Sequence, residues 1–175
     1  MIDSNAPNLS AFFFKGYPIH ISLGGALRLR KTVNTPKAFG KFKHLKYLEI
    51  VISDPTIRRD SVIEDSSGYS RPQCLQEECH DNLKNVMITG FCSAKSMIDL
   101  TICIIEKAKA LECLTLDTTR GYDRRFVNID KCLRLNKEAL LEAKKARIAI
   151  QRYVEGRVPP AVNLKVIEPC SKCIR

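Results

Sequence analysis

The chain has 175 residues, 45% of them hydrophobic, and a formal net charge of +10. That length suits one domain with a sizeable core, and that composition excludes wholesale disorder. No apolar run approaches the ~20 residues of a membrane span, and the Met1 end lacks the basic n-region of a secretory signal, so a cytoplasmic or nuclear protein is expected.

Residues 8–16 read NLSAFFFKG, with Leu9, Phe12 and Phe14 at L-x-x-L-x-L spacing. Residues 18–22 alternate like a strand, Gly24 and Gly25 mark a turn, and Leu27 and Leu29 alternate with Arg28 and Arg30. Residues 44–52 repeat the spacing with Leu45, Leu48 and Ile50, so 1–52 form a set of N-terminal strands. The segment 53–72 contains Pro55, Gly68 and Pro72 and few apolar residues, which predicts a mobile loop or an insertion. Residues 73–79 are expected to form a short helix leading into the next unit.

The stretch 80–121 organises the chain as a strand, a helix and a strand. Leu83, Val86 and Ile88 show the same spacing, as do Leu111, Leu114 and Leu116. Between them Met97, Leu100, Thr101, Ile104, Ile105 and Ala108 fall on one face of a helix, for which Ser93 is the expected N-cap. Two strands joined by a crossover helix make a parallel step. After a polar connection at 122–131, residues 135–154 predict a long helix. Its stripe is Ala139, Ala143, Ala146, Ile150, Tyr153 and Val154, whose small alanines permit close approach to a neighbour. Gly156 and the pair Pro159 and Pro160 end that helix. Val162, Leu164 and Val166 then lie on one side of a final strand, which makes 132–168 a helix–strand cap and leaves 169–175 as a tail.

The four spaced motifs begin at Leu9, Leu45, Leu83 and Leu111, so the steps are 36, 38 and 28 residues. Tandem units of this kind build leucine-rich repeats, whose period is about 20–29 residues. The two longer steps call for inserts or an extra strand. The expected fold is therefore an α/β, leucine-rich-repeat-like solenoid fragment of one domain. It has parallel strands, helices on the opposite face and a C-terminal helix–strand cap.

Little in the sequence points to catalysis. There is no P-loop, no G-x-G-x-x-G and no nucleophile elbow, and His20, His44 and His80 each lie beside strand-like runs. Asp54, Asp60, Glu64 and Asp65 cluster in the predicted loop as solvated charges. No catalytic residue, cofactor or metal site is assigned, and the chain is not expected to be an enzyme. Without a signal peptide the eight cysteines are expected to be reduced thiols, with Cys92, Cys103, Cys113 and Cys132 packing as small hydrophobes. Cys170 and Cys173 form C-x-x-C, which still needs two further ligands to hold Zn²⁺. Cys74, Cys79 and His80 follow no recognised zinc spacing. A redox pair of this type is expected at a strand-to-helix junction rather than at the end of a chain. The densest basic stretch, 120–157, holds 11 Lys/Arg against 5 acidic residues. It reads as a solvated face, with nucleic-acid binding as the alternative function.

At HLKYLEI, HDNLKNVMITGFCSAKSMIDLT, LECLTLDTTRG and VEGRVPPAVNLKVIEPCSKC the sequence resembles the leucine-rich-repeat region of plant F-box/LRR proteins of the FBD-associated-like type. The resemblance spans most of the chain. It implies a protein-binding module, like the substrate-recognition part of a ubiquitin-ligase receptor. In such proteins an N-terminal F-box docks on a Skp-type adaptor. Here APNLS follows Met1 almost at once and already resembles repeat sequence, so no F-box and no adaptor binding are expected of this chain.

Side chains alternate along a strand, so in each motif the third, fifth and seventh residues lie on the open face of the sheet. Stacking the four motifs yields three ladders: Ala11, Tyr47, Asn85 and Cys113; Phe13, Glu49, Met87 and Thr115; and Lys15, Val51, Thr89 and Asp117. The expected protein-binding residues are Phe13, Tyr47, Glu49, Asn85, Met87, Thr89, Thr115 and Asp117. The first strand, at 9–14, would leave an apolar edge through which the chain self-associates.

Overall fold

A computed structural model describes residues 2–3, 11–16, 21–22, 46–52, 61–63, 81–119 and 135–174, with the backbone alone at 2–3, 11–16, 21–22 and 51–52. In chain order the described elements are β1 (Ile2–Asp3), β2 (Ala11–Gly16), β3 (Ile21–Ser22), β4 (Tyr47–Ile52), β5 (Asn85–Thr89), α1 (Lys95–Lys107), β6 (Cys113–Asp117), α2 (Lys137–Ala149), β7 (Asn163–Ile167) and α3 (Ser171–Ile174). Five strands form one parallel sheet in the order β2-β4-β5-β6-β7, so each strand pairs with the next of the set. This is an α/β, leucine-rich-repeat-like fold. The short strands β1 and β3 pair with each other, Ile2 beside Ile21 and Asp3 beside Ser22. Of the alternating run 18–22 the described residues are Ile21 and Ser22, which are strand, and the partner strand β1 carries no motif.

The spaced motif explains both the start and the stacking of the strands. Leu83 and Leu111 sit two residues ahead of β5 and β6 and are buried. Beside them, the Lys46 carbonyl accepts the N–H groups of Lys84 and Asn85, both at 3.0 Å. One step on, the Lys84 carbonyl accepts those of Glu112 at 2.8 Å and Cys113 at 3.0 Å. The Glu112 carbonyl then accepts Asn163 N–H at 2.8 Å. Each unit thereby satisfies the backbone donors that open the next, as buried backbone groups require.

Alternation puts two apolar ladders on the inner face. Leu48, Val86, Leu114 and Leu164 align across the sheet, as do Ile50, Ile88, Leu116 and Val166. Ile88, Leu114 and Leu116 are fully buried, and Leu164 and Val166 pack against the core from the outer strand. Helix α1 joins the same core through Met97, Leu100, Thr101, Ile104 and Ile105, and Ala108 is buried just beyond its end. Ile98, Ile102 and Cys103 are buried too, more than a single stripe predicts. The segment Ile150–Val154 also packs against α1, which closes a second side of the helix.

Three expectations need correction here. Ser93 is not the N-cap of α1: Ala94 holds that place, with no side-chain cap. Ser93 is instead buried, and both its N–H and its hydroxyl donate to Glu142 Oε1 of α2 at 2.9 Å, while Ser61 Oγ stands 2.6 Å from Ser93 Oγ. A carboxylate accepts a hydrogen bond more strongly than a neutral oxygen, so docking α2 redirects Ser93 away from the helix it precedes. Next, residues 61–63 of the predicted loop are built into the fold. Val62 lies in the core and its N–H donates to the Ser93 carbonyl at 3.0 Å, beside a bridge between Ser61 and Ala94. Finally, Cys103 is disulfide-bonded rather than a reduced space-filling thiol. Cys92 is a buried thiol and Cys113 a half-buried one.

The C-terminal helix starts at an N-cap the sequence reading passed over: Asn136 Oδ1 accepts Ala139 N–H at 2.8 Å. The alanine stripe is buried as expected, at Ala139, Ala143 and Ala146. Beyond Ala149 the helix widens into a π turn at Ile150–Val154, with Ile150 and Val154 buried, and tightens into a 3₁₀ turn at Glu155–Arg157. Val158 is extended, ahead of the two prolines. The predicted features at 24–30, 73–79 and 122–131, the cysteines 74, 79 and 132, the three histidines and the acidic group at 54–65 lie outside the described residues. Among the described residues no helix is long and apolar enough to cross a membrane.

The Glu142 bridge is open to test. Glu142→Ala strips a buried N–H and a buried hydroxyl of their acceptor, and the expected loss is about 1–3 kcal/mol. Glu142→Gln keeps an acceptor oxygen and should lose less. Urea unfolding measures both, and equal midpoints for wild type and Glu142→Ala would show that the bridge does not hold α2.

Candidate protein-binding face

The open face of the sheet follows from the register. Ala11, Tyr47, Asn85, Cys113 and Asn163 align in one row, and Phe13, Glu49, Met87, Thr115 and Lys165 in the next. The third row is Lys15, Val51, Thr89, Asp117 and Ile167. The first four members of each row are those the motif spacing stacks. The fifth, from β7, was legible in the alternation of Val162, Leu164 and Val166, which leaves Asn163 and Lys165 on the other face. Both are exposed.

Burial divides the eight candidate residues. Tyr47, Asn85, Met87 and Thr115 are half-buried, each presenting part of its side chain. Glu49, Thr89 and Asp117 share the face by register but are buried, at 6%, 5% and 1% exposure. Phe13 aligns with Glu49, and its side chain lies outside the described residues. The surface is therefore narrower than alternation alone implies.

At its centre the Tyr47 hydroxyl lies 3.4 Å from Glu49 Oε2 and 4.0 Å from Met87 Sδ. The phenol thus bridges two neighbouring strands, with a carboxylate at its tip and a polarizable thioether beside it. At the end of the sheet Asp117 shapes a turn. Its Oδ1 accepts the Thr119 N–H at 2.8 Å and the Thr119 hydroxyl at 2.5 Å, an Asx turn. Its carbonyl takes the N–H groups of Gly90 and Phe91 at 3.0 and 2.9 Å. Gly90 has φ 79°, a left-handed conformation that glycine adopts without steric cost, and this lets the chain leave β5 towards that carbonyl. Asp117 is thus a structural carboxylate, held by its own turn.

The basic C-terminal region is partly neutralised. Arg147 pairs with Glu155 and, at 3.1 Å, with Glu168; Arg157 stands 3.8 Å from Glu106. Lys137, Lys144 and Arg152 are exposed. Among the described residues no group of three or more His, Cys, Asp or Glu side chains is placed to hold a metal ion.

No curated protein and no solved structure matches this chain. A family model described as the LRR domain of At1g61320/AtMIF1 matches residues 51–171, most of the chain, from the end of β4 into α3. With the motif spacing, the parallel sheet and this match in agreement, the chain belongs to that family of leucine-rich-repeat domains, which generally mediate protein–protein interaction.

Proposed function

We propose that the chain is a protein-recognition module of the kind that selects substrates in F-box/LRR ubiquitin-ligase receptors, and that it engages its partner with the open face of the sheet. The observation that carries this reading is the cluster at the middle of that face. Tyr47 on β4 reaches Glu49 on its own strand and Met87 on β5, and the open face continues from there through Asn85 on β5, Thr115 on β6 and Lys165 on β7. An aromatic anchor with a polar rim is the usual anatomy of a protein-binding patch. The helix–strand unit at 132–168 serves in this reading as the closing cap of the sheet, covering Leu114 and Leu116 with Leu164 and Val166. Recognition is its whole task; ubiquitin transfer belongs to partners recruited by an F-box.

The test is capture of a partner from native extract by the wild-type chain, followed by affinity measurement with the purified partner. Tyr47→Ala and Met87→Ala are expected to weaken binding. A central anchor is worth about 2 kcal/mol or more on truncation, which is roughly 30-fold in Kd. Circular dichroism of each variant establishes that it folds. Reversing Lys144 and Arg152 to Glu should leave affinity within about threefold, since rim charges contribute little. Unchanged binding in both alanine variants, with loss on charge reversal and a steep salt dependence, would move the site to α2 and favour a phosphate-bearing ligand.

A further inference from the structure

The recognition face leaves the C-x-x-C pair unused, and that pair has its own geometry. Cys170 and Cys173 place their sulfur atoms 3.6 Å apart as thiols. Cys170 is exposed, while Cys173 is 3% exposed. The backbone holds the pair in one turn: Cys173 N–H donates to the Cys170 carbonyl at 2.9 Å. The Cys173 carbonyl in turn accepts Leu135 N–H at 3.0 Å, which ties this turn to the start of α2. The sulfur that small reagents reach and the sulfur that is shielded from them are therefore neighbours, and the shielded one is anchored.

We infer that Cys170 and Cys173 form a redox modification site that closes to an intramolecular disulfide by exchange with a small-molecule disulfide such as glutathione disulfide. The Cys170 thiolate attacks one sulfur of the reagent, forming a mixed disulfide and releasing one glutathione thiolate. The Cys173 thiolate then attacks the Cys170 sulfur and releases the second. Two electrons pass from the protein thiols to the reagent, and the two thiol protons end on the two released glutathiones. A disulfide needs Cβ atoms about 3.5–4.5 Å apart, slightly closer than the ~5–6 Å of residues three apart on a helix. Cys170 precedes α3, so its backbone supplies that small movement while Cys173 stays on the Leu135 N–H. Closure fixes the turn that bonds the start of α2.

Lys172 lies between the two cysteines, so trypsin separates them into peptides 166–172 and 173–175. The full-length chain is equilibrated with glutathione disulfide and quenched with acid, its remaining thiols are alkylated in denaturant so that the buried Cys173 is reached, and it is then digested. The expected result is loss of alkylation at both sulfurs together and recovery of the two peptides joined by a disulfide. Cys170→Ser, an exposed and mild change, should leave Cys173 alkylated. Cys173→Ser should leave glutathione on Cys170. Should that last variant fold poorly, wild type and Cys170→Ser decide the matter between them. A wild-type chain that keeps glutathione on Cys170 with Cys173 alkylated, or that links Cys170 to another cysteine, would overturn the assignment.

Discussion

Replacing Leu114 by alanine is expected to remove about 2–5 kcal/mol of stability. Leu114 is fully buried, and the register sets it between Val86 on β5 and Leu164 on β7, in the middle of an apolar ladder. Its strand pairs on both sides, so the backbone cannot move in to fill the space, and the cavity persists. A natural domain has only about 5–15 kcal/mol to lose, so this one substitution takes a large share. Urea unfolding of the variant should show a lower midpoint with an unchanged slope. A shift equivalent to less than about 1 kcal/mol would mean that the core collapses around the missing atoms, and the rigid-ladder account would be wrong.

Deleting residues 156–175 should have the larger effect. It removes β7, which pairs with β6 along Cys113–Asp117. Leu114 and Leu116 lose Leu164 and Val166 beside them. The Glu112 carbonyl loses Asn163 N–H, and both the N–H and the hydroxyl of Thr118 lose the Ile167 carbonyl, to which they donate at 2.9 and 3.0 Å. Arg147 loses Glu168, and Leu135 loses the Cys173 carbonyl that receives its N–H. An apolar, unpaired strand edge seeks another chain, so the shortened protein is expected to aggregate and to be cut rapidly by protease. Sedimentation and limited proteolysis read both. A truncated chain that stays monomeric and as resistant as the full one would refute the closing role proposed for 132–168.

The sheet could be read from the sequence because a strand shows its two faces at a period of two. Leu48 and Ile50, Val86 and Ile88, and Leu114 and Leu116 mark the inner face and set the register, since a slip of one residue would expose every one of them. The same alternation placed Tyr47, Asn85, Met87 and Thr115 on the open face. It could not show that Glu49, Thr89 and Asp117 on that face are buried, because burial depends on what packs over a residue. Asp117 is the instructive case. A carboxylate followed two residues later by a threonine is a local turn signal, yet on the open face of a sheet it reads equally as a contact residue.

The apolar and open faces of each strand and the alanine stripe of α2 were determined by the sequence itself, since each is a spacing within one local element. What joins distant elements was decided only by the tertiary structure. Ser93 and Glu142 are 49 residues apart and meet because α2 docks beside the start of α1, which turns an expected helix cap into a link between helices. Val62 enters the core because residues 61–63 pair beside Ala94, although their neighbours in sequence are polar. Local periodicity records which side of an element is apolar; a hydrogen bond between remote residues needs two positions brought together, and only the packed fold supplies that distance.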